Sequence, residues 1–174
     1  MKLSVKAIAV AFSLAIAAQF THAEDFKVTG LTFSKPKTWT KVAPGSSMRK
    51  AQLEIRDGDN KAEVVFFYFG PGGAGGVDAN VTRWLRQFKE PKEKLNPKIE
   101  SQKVGSTKVT FVRAEGTYMS GAPFGPKTPV ADSMMFASIL EAQQGPIFVK
   151  MTGPKKIVSG AVKDMRKMIE DALK

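Results

Sequence analysis

The sequence of 174 residues has no cysteine and a single histidine, His22. Tryptophan and tyrosine occur only twice each, and 16 acidic residues stand against 27 lysines and arginines. Each shortage excludes something. Without cysteine there are no disulfides, thiolate nucleophiles or thiolate metal sites. Stability must then come from a hydrophobic core, which a chain of about 150 residues is long enough to bury in one domain.

His22 falls in a segment that reads as removable. Lys2 and Lys6 supply a positive start, residues 7–18 are apolar, and Thr21 and Ala23 place small residues for cleavage after Ala23. The apolar run is shorter than the roughly 20 residues of a spanning helix. No cysteine follows it to carry a lipid. The expectation is a signal peptide at 1–23 and one domain at 24–174, periplasmic or secreted. With His22 gone, serine–histidine–aspartate triads and imidazole zinc sites are also excluded. No cofactor or metal site is expected.

Loss of the leader removes two lysines and no acids, leaving 25 basic against 16 acidic residues, a net charge of +9. Such a balance favours anionic partners such as an acidic protein or an anionic surface. No motif for specific nucleic-acid reading accompanies it. A plain role in solubility is the alternative.

The chain is organised around residues 62–88. Residues 64–69, Val-Val-Phe-Phe-Tyr-Phe, form a continuous β-branched and aromatic run, the pattern of a buried strand. Residues 70–76 carry five glycines and a proline, which end both strand and helix. Val81, Trp84, Leu85 and Phe88 then recur at helical spacing, predicting a helix over 79–88 with Asp78 as its N-cap. Gly70-x-Gly72-x-x-Gly75 matches the dinucleotide fingerprint literally. Its neighbours join by short hairpins, which make antiparallel strands and not the parallel unit that fingerprint needs. The expectation is a flexible turn.

The remaining elements are read in order. Residues 25–33 suggest one strand with a bulge at Gly30. Trp39 is expected in the core. Ala51, Leu53 and Ile55 alternate with Gln52, Glu54 and Arg56, a half-buried strand. Residues 57–60 form a hairpin turn; Lys61 and Tyr68 stand where a calcium loop needs oxygen ligands. Strands at 98–104 and 107–118 join at Gly105-Ser106. Residues 119–131, with three prolines, read as a long loop, and long loops are often functional. Strands at 133–142 and 146–152 precede a last helix that begins with Pro154 in its first turn. Val158, Val162, Met165, Ile169 and Leu173 mark its apolar stripe. Met134 and Met135 are neighbours on a strand and point to opposite faces, so they are core residues and not a copper site.

The fold class is therefore α+β, an antiparallel sheet of about six or seven strands with two main helices. The motif 31–36 with Trp39, the helix around Arg83-Trp84, and residues 148–154 together resemble the PsbP-type fold. Gly116-Thr117-Tyr118, Gly125-Pro126-Lys127 and Gly145-Pro146 resemble a set of uncharacterised exported bacterial proteins. The resemblance implies an accessory or protein-binding role and carries no catalytic motif.

The leading expectation is a non-enzymatic exported binding module, with Arg83, Arg86, Phe124 and Lys127 as partner contacts. A second is a carrier of a small apolar ligand, held between sheet and helix by Phe66, Tyr68 and Trp84. A third is a hydrolase or lyase using carboxylates such as Glu54, Glu63 and Glu115, which requires two acids facing one cleft.

Overall fold

The computed structural model describes residues 24–122 and 125–174. The expected leader at 1–23 and the candidate contact Phe124 lie outside the described residues. The chain forms β1 (Asp25–Val28), β2 (Leu31–Ser34), β3 (Thr40–Val42), β4 (Arg49–Asp57), β5 (Asn60–Tyr68), α1 (Val77–Leu85) and the single turn α2 (Lys92–Leu95). It continues with β6 (Lys98–Val104), β7 (Thr107–Ser120), β8 (Thr128–Glu141), β9 (Ile147–Pro154) and α3 (Lys155–Ala172). Seven strands make one sheet in the order β3-β4-β5-β9-β8-β7-β6, antiparallel at every step. The α+β class and sheet size follow the sequence expectation.

The order is mostly the work of tight hairpins. Gly58-Asp59 joins β4 to β5, and Gly105-Ser106 joins β6 to β7. β5 gains its second neighbour from far along the chain, pairing Glu63–Tyr68 with Thr152–Ile147 of β9. Both neighbours of β5 run antiparallel to it, so the glycine bend after it is not part of a parallel dinucleotide-binding unit.

Side chains alternate across the sheet and divide the core in two. One face meets α3 and the β1–β2 hairpin. Among the described residues it holds 23 buried apolar ones, including Phe33, Phe66, Phe111, Phe136, Met134 and Met165. Trp39 joins them at 2% exposure, the core position expected of it. The other face meets α1 and holds 11 of the described residues, including Trp84, Phe88, Met135, Ile139 and Phe148. Met134 and Met135 lie on opposite faces, as alternation requires. So do Phe66 and Trp84, and Tyr68 packs with Phe66. The three residues of the expected apolar pocket therefore do not face one space.

Several boundaries differ from the sequence reading. Residues 25–34 are a hairpin in its own two-stranded sheet, turned at Thr29 (φ 45°) and Gly30, and not one bulged strand. The stretch 119–131 is mostly strand: β7 and β8 continue as a ribbon, and only 121–127 connects them. Beyond Ser133, β8 has no β9 neighbour, so Pro129 sits on an edge where proline is tolerated. Helix α1 spans 77–85, with Gly76 and not Asp78 at the N-cap. Pro154 is likewise the N-cap of α3 and not its first helical residue.

Candidate functional site

The glycine bend is tied to α1 by side-chain hydrogen bonds. Asn80, 2% exposed, donates from Nδ2 to the carbonyls of Ala74 (3.0 Å), Gly75 (3.2 Å) and Gly76 (2.8 Å). Arg83 donates to Asn80 Oδ1 (2.8 Å) and to the Ala74 carbonyl (3.2 Å). Its guanidinium thus braces the bend rather than reaching for a partner. Arg86 remains on the outer surface of α1, where Asp78, Ala79, Thr82, Arg83 and Arg86 line a shallow concavity of about 450 Å³. Lys127 closes the β7–β8 connection by donating to the carbonyls of Gly121 (3.2 Å) and Ala122 (2.5 Å).

A different group of residues has the makings of a site. Beneath α1 the sheet face is apolar, but towards β4 and β5 it turns polar, with Gln52, Glu54, Glu63 and Lys150 alternating with core residues. Lys150 stands in the middle of β9 between Val65 of β5 and Ala137 of β8. Two elements converge on it. The segment after α1 bonds to β7: Lys89 N–H donates to Thr117 O, and Met119 N–H to Gln87 O, both at 2.8 Å. The Glu90 carboxylate clamps the same place by accepting from Thr117 N–H (2.9 Å). Those bonds hold its carboxyl below the usual range. Opposite, β8 carries one extra residue between Val130 and Ser133, where Asp132 takes φ 48°.

The outcome is a compact polar knot. Lys150 Nζ donates to Gln87 Oε1 (2.9 Å) and to the Tyr118 hydroxyl (3.2 Å). Tyr118 donates to the same Gln87 oxygen (2.7 Å), and its ring lies 5.8 Å from the ammonium. Arg49 donates to Gln52 (2.8 Å) and Glu63 (3.3 Å) nearby. Burial pushes the Lys150 ammonium down to about 8, and Arg49 and Lys127 add repulsion that Glu63 only partly offsets. Burial also pushes the Tyr118 hydroxyl up to about 12, so it stays protonated and remains a donor.

The three candidate carboxylates do not share a cleft. Glu54 and Glu63 are cross-strand partners, but each is held by its own cations. Glu54 accepts from Arg56 (2.7 Å) and Lys61 (3.0 Å), bonds that outweigh its burial and lower its proton affinity. Glu115 pairs with Lys155 (2.7 Å) and Arg113 at the start of α3, and the same contacts depress its carboxyl. Among the described residues no group of three or more acids or histidines is placed to hold a metal.

The structure therefore separates Arg83 and Arg86, on the outside of α1, from Lys127, which acts on Lys150. Sequence reasoning missed Lys150, Tyr118, Gln87 and Arg49. One signal was present: Lys150 is the sole charge in the apolar run 147–151, and a charge inside a buried strand is costly without partners.

No family model and no curated protein match this chain. Among solved structures it is similar to the solution structure of cyanobacterial PsbP from Synechocystis sp. PCC 6803, with a TM-score of 0.52. The superposition covers 95% of this chain and 96% of that one at 10% identity. A likeness at that identity shows the fold alone, and the fold is PsbP-like.

Proposed function

We propose that this chain is an exported, non-enzymatic binding or accessory protein that contacts an anionic surface or an acidic protein, as the resemblance to exported bacterial proteins implies. The observation that carries the reading is the imbalance of charge on the polar half of the sheet. Arg49, Arg56, Lys61, Lys127 and Lys150 gather there around two carboxylates, Glu54 and Glu63. Clustered cations next to low-dielectric walls attract anions over distances set by the ionic strength. Export is supported by the leader pattern in 1–23. No described helix is long and apolar enough to cross a membrane.

The test is binding to two anionic probes, poly-L-glutamate and phosphatidylglycerol vesicles, at low and high salt. Binding that weakens as salt rises, and weakens further in Arg49→Gln/Lys150→Met but not in Lys163→Gln/Lys167→Gln, is expected. The control pair removes the same charge from the exposed side of α3. Equal loss in both double variants would place binding in net charge alone and remove the polar knot from the account. The two probes separate an acidic protein from a lipid surface as the partner.

A further inference from the structure

The main sheet has two edges, and they are unlike. β3 is a three-residue strand, short enough to offer little to a foreign strand. β6 is seven residues long, without proline or bulge, and among the described residues it pairs on one side only. Six of its residues are exposed, among them Ile99 at 47%. A regular open edge of this length is a template for another strand.

The hairpin fixes which groups are open. Val104 and Thr107 flank the two-residue turn and form the bonded pair, so Val104, Gln102, Glu100 and Lys98 direct their backbone groups to β7. Ser101 and Thr110 form a non-bonded pair, and their hydroxyls meet at 2.9 Å as such close pairs allow. Ile99, Ser101 and Lys103 therefore turn their N–H and C=O groups outward.

We infer that β6 pairs antiparallel with β6 of a second copy about a two-fold axis at Ser101. In that register Ile99 faces the second copy's Lys103, Glu100 faces its Gln102, and Lys98 faces its Val104. All three outward residues bond, the exposed Ile99 side chain is covered by a lysine stem, and no like charges oppose each other. Moving the axis to Lys103 sets two lysines face to face, and moving it to Ile99 leaves most of the strand unpaired. A second layer agrees. Arg166 donates to Glu100 (2.6 Å), and Gln102 donates to Glu170 (3.0 Å). Because Glu100 faces the second copy's Gln102, each Arg166 comes beside the second copy's Glu170, twice by symmetry. The surface involved is small, so the dimer belongs to the weak class that forms at high concentration.

Sedimentation velocity over about a hundredfold concentration range, with amide exchange measured at both ends, tests this. A shift from monomer to dimer is expected, with slower exchange at Ile99, Ser101 and Lys103 in the concentrated sample. Ser101→Pro removes an outward N–H and no bond to β7, so it should abolish the dimer while circular dichroism stays native. Should Ser101→Pro disturb the strand, Glu170→Lys serves instead: it sets two cations together and should weaken association about tenfold. A sample that stays monomeric throughout overturns the inference. So does a dimer that persists in both variants, or exchange at the three amides that ignores concentration.

Discussion

The two faces of the sheet solve the burial problem differently. The α3 face is dry and continuous. An 18-residue helix lays Ile157, Val158, Ala161, Met165, Met168 and Ile169 along it, and the β1–β2 hairpin with Trp39 seals the rest. Phe26, Phe33 and Phe66 meet there with ring centroids 5.0 to 5.7 Å apart. The α1 face has only a nine-residue helix, which covers the β7–β9 side. What it leaves is finished with hydrogen-bonded polar residues around Lys150. A short helix cannot shield a seven-stranded sheet, and the unshielded part must then be polar and paired.

The largest expected effect sharpens the contrast from the dry side. Phe66→Ala should cost about 4 kcal/mol, the transfer and cavity terms of a large buried aromatic, read as a lower urea midpoint. Next is Lys150→Met. The methionine loses two hydrogen bonds but removes a desolvated charge, so stability at neutral pH should change by less than about 1 kcal/mol. Its pH dependence is the sharper readout. Folded Lys150 releases its proton near pH 8, against 10.5 for an ordinary lysine. Between those values the unfolded chain binds more protons, so stability should rise with pH through that window. Tyr118 adds an opposing trend only above pH 10, its ordinary value. The rise between pH 8 and 10 should flatten in Lys150→Met; an unchanged slope would mean that Lys150 is not desolvated.

Ser138 offers a smaller test on the α3 side. Its hydroxyl is fully buried with no partner among the described residues, between Phe111 and Val149. Ser138→Ala should raise stability by about 1 kcal/mol, measured by thermal unfolding. A loss instead would break the view of that face as uniformly dry. The smallest effect is local. Glu90→Ala releases the clamp on Thr117, so the Thr117 and Met119 amides should exchange faster while the α3 face keeps its protection.

Much of the fold was legible because burial imposes period. The run 64–69 and the stripes at Val81–Phe88 and Val158–Leu173 appear where strand, helix and helix form, give or take a few residues. The misreadings have local causes. Pro129 imitates a loop, yet an edge ribbon accepts it. Asp78 is a good cap by residue type, but Asn80 takes over the bend from inside the first turns of α1. The polar knot was nearly invisible, since Arg49, Gln87, Tyr118 and Lys150 lie on three strands and a post-helical segment. Nothing in their spacing announces that they meet.

The sequence by itself determined the α+β class, the want of thiol and imidazole chemistry in residues 24–174, and the excess of positive charge, because these depend on composition and on short-range repeats. Which residues lie together on each face, and where the cations gather, was decided only by the tertiary structure. Those contacts join residues far apart in the chain, 63 positions in the case of Gln87 and Lys150. They depend on the β5–β9 pairing and on a bulge that turns a ribbon, and neither leaves a periodic trace in the chain.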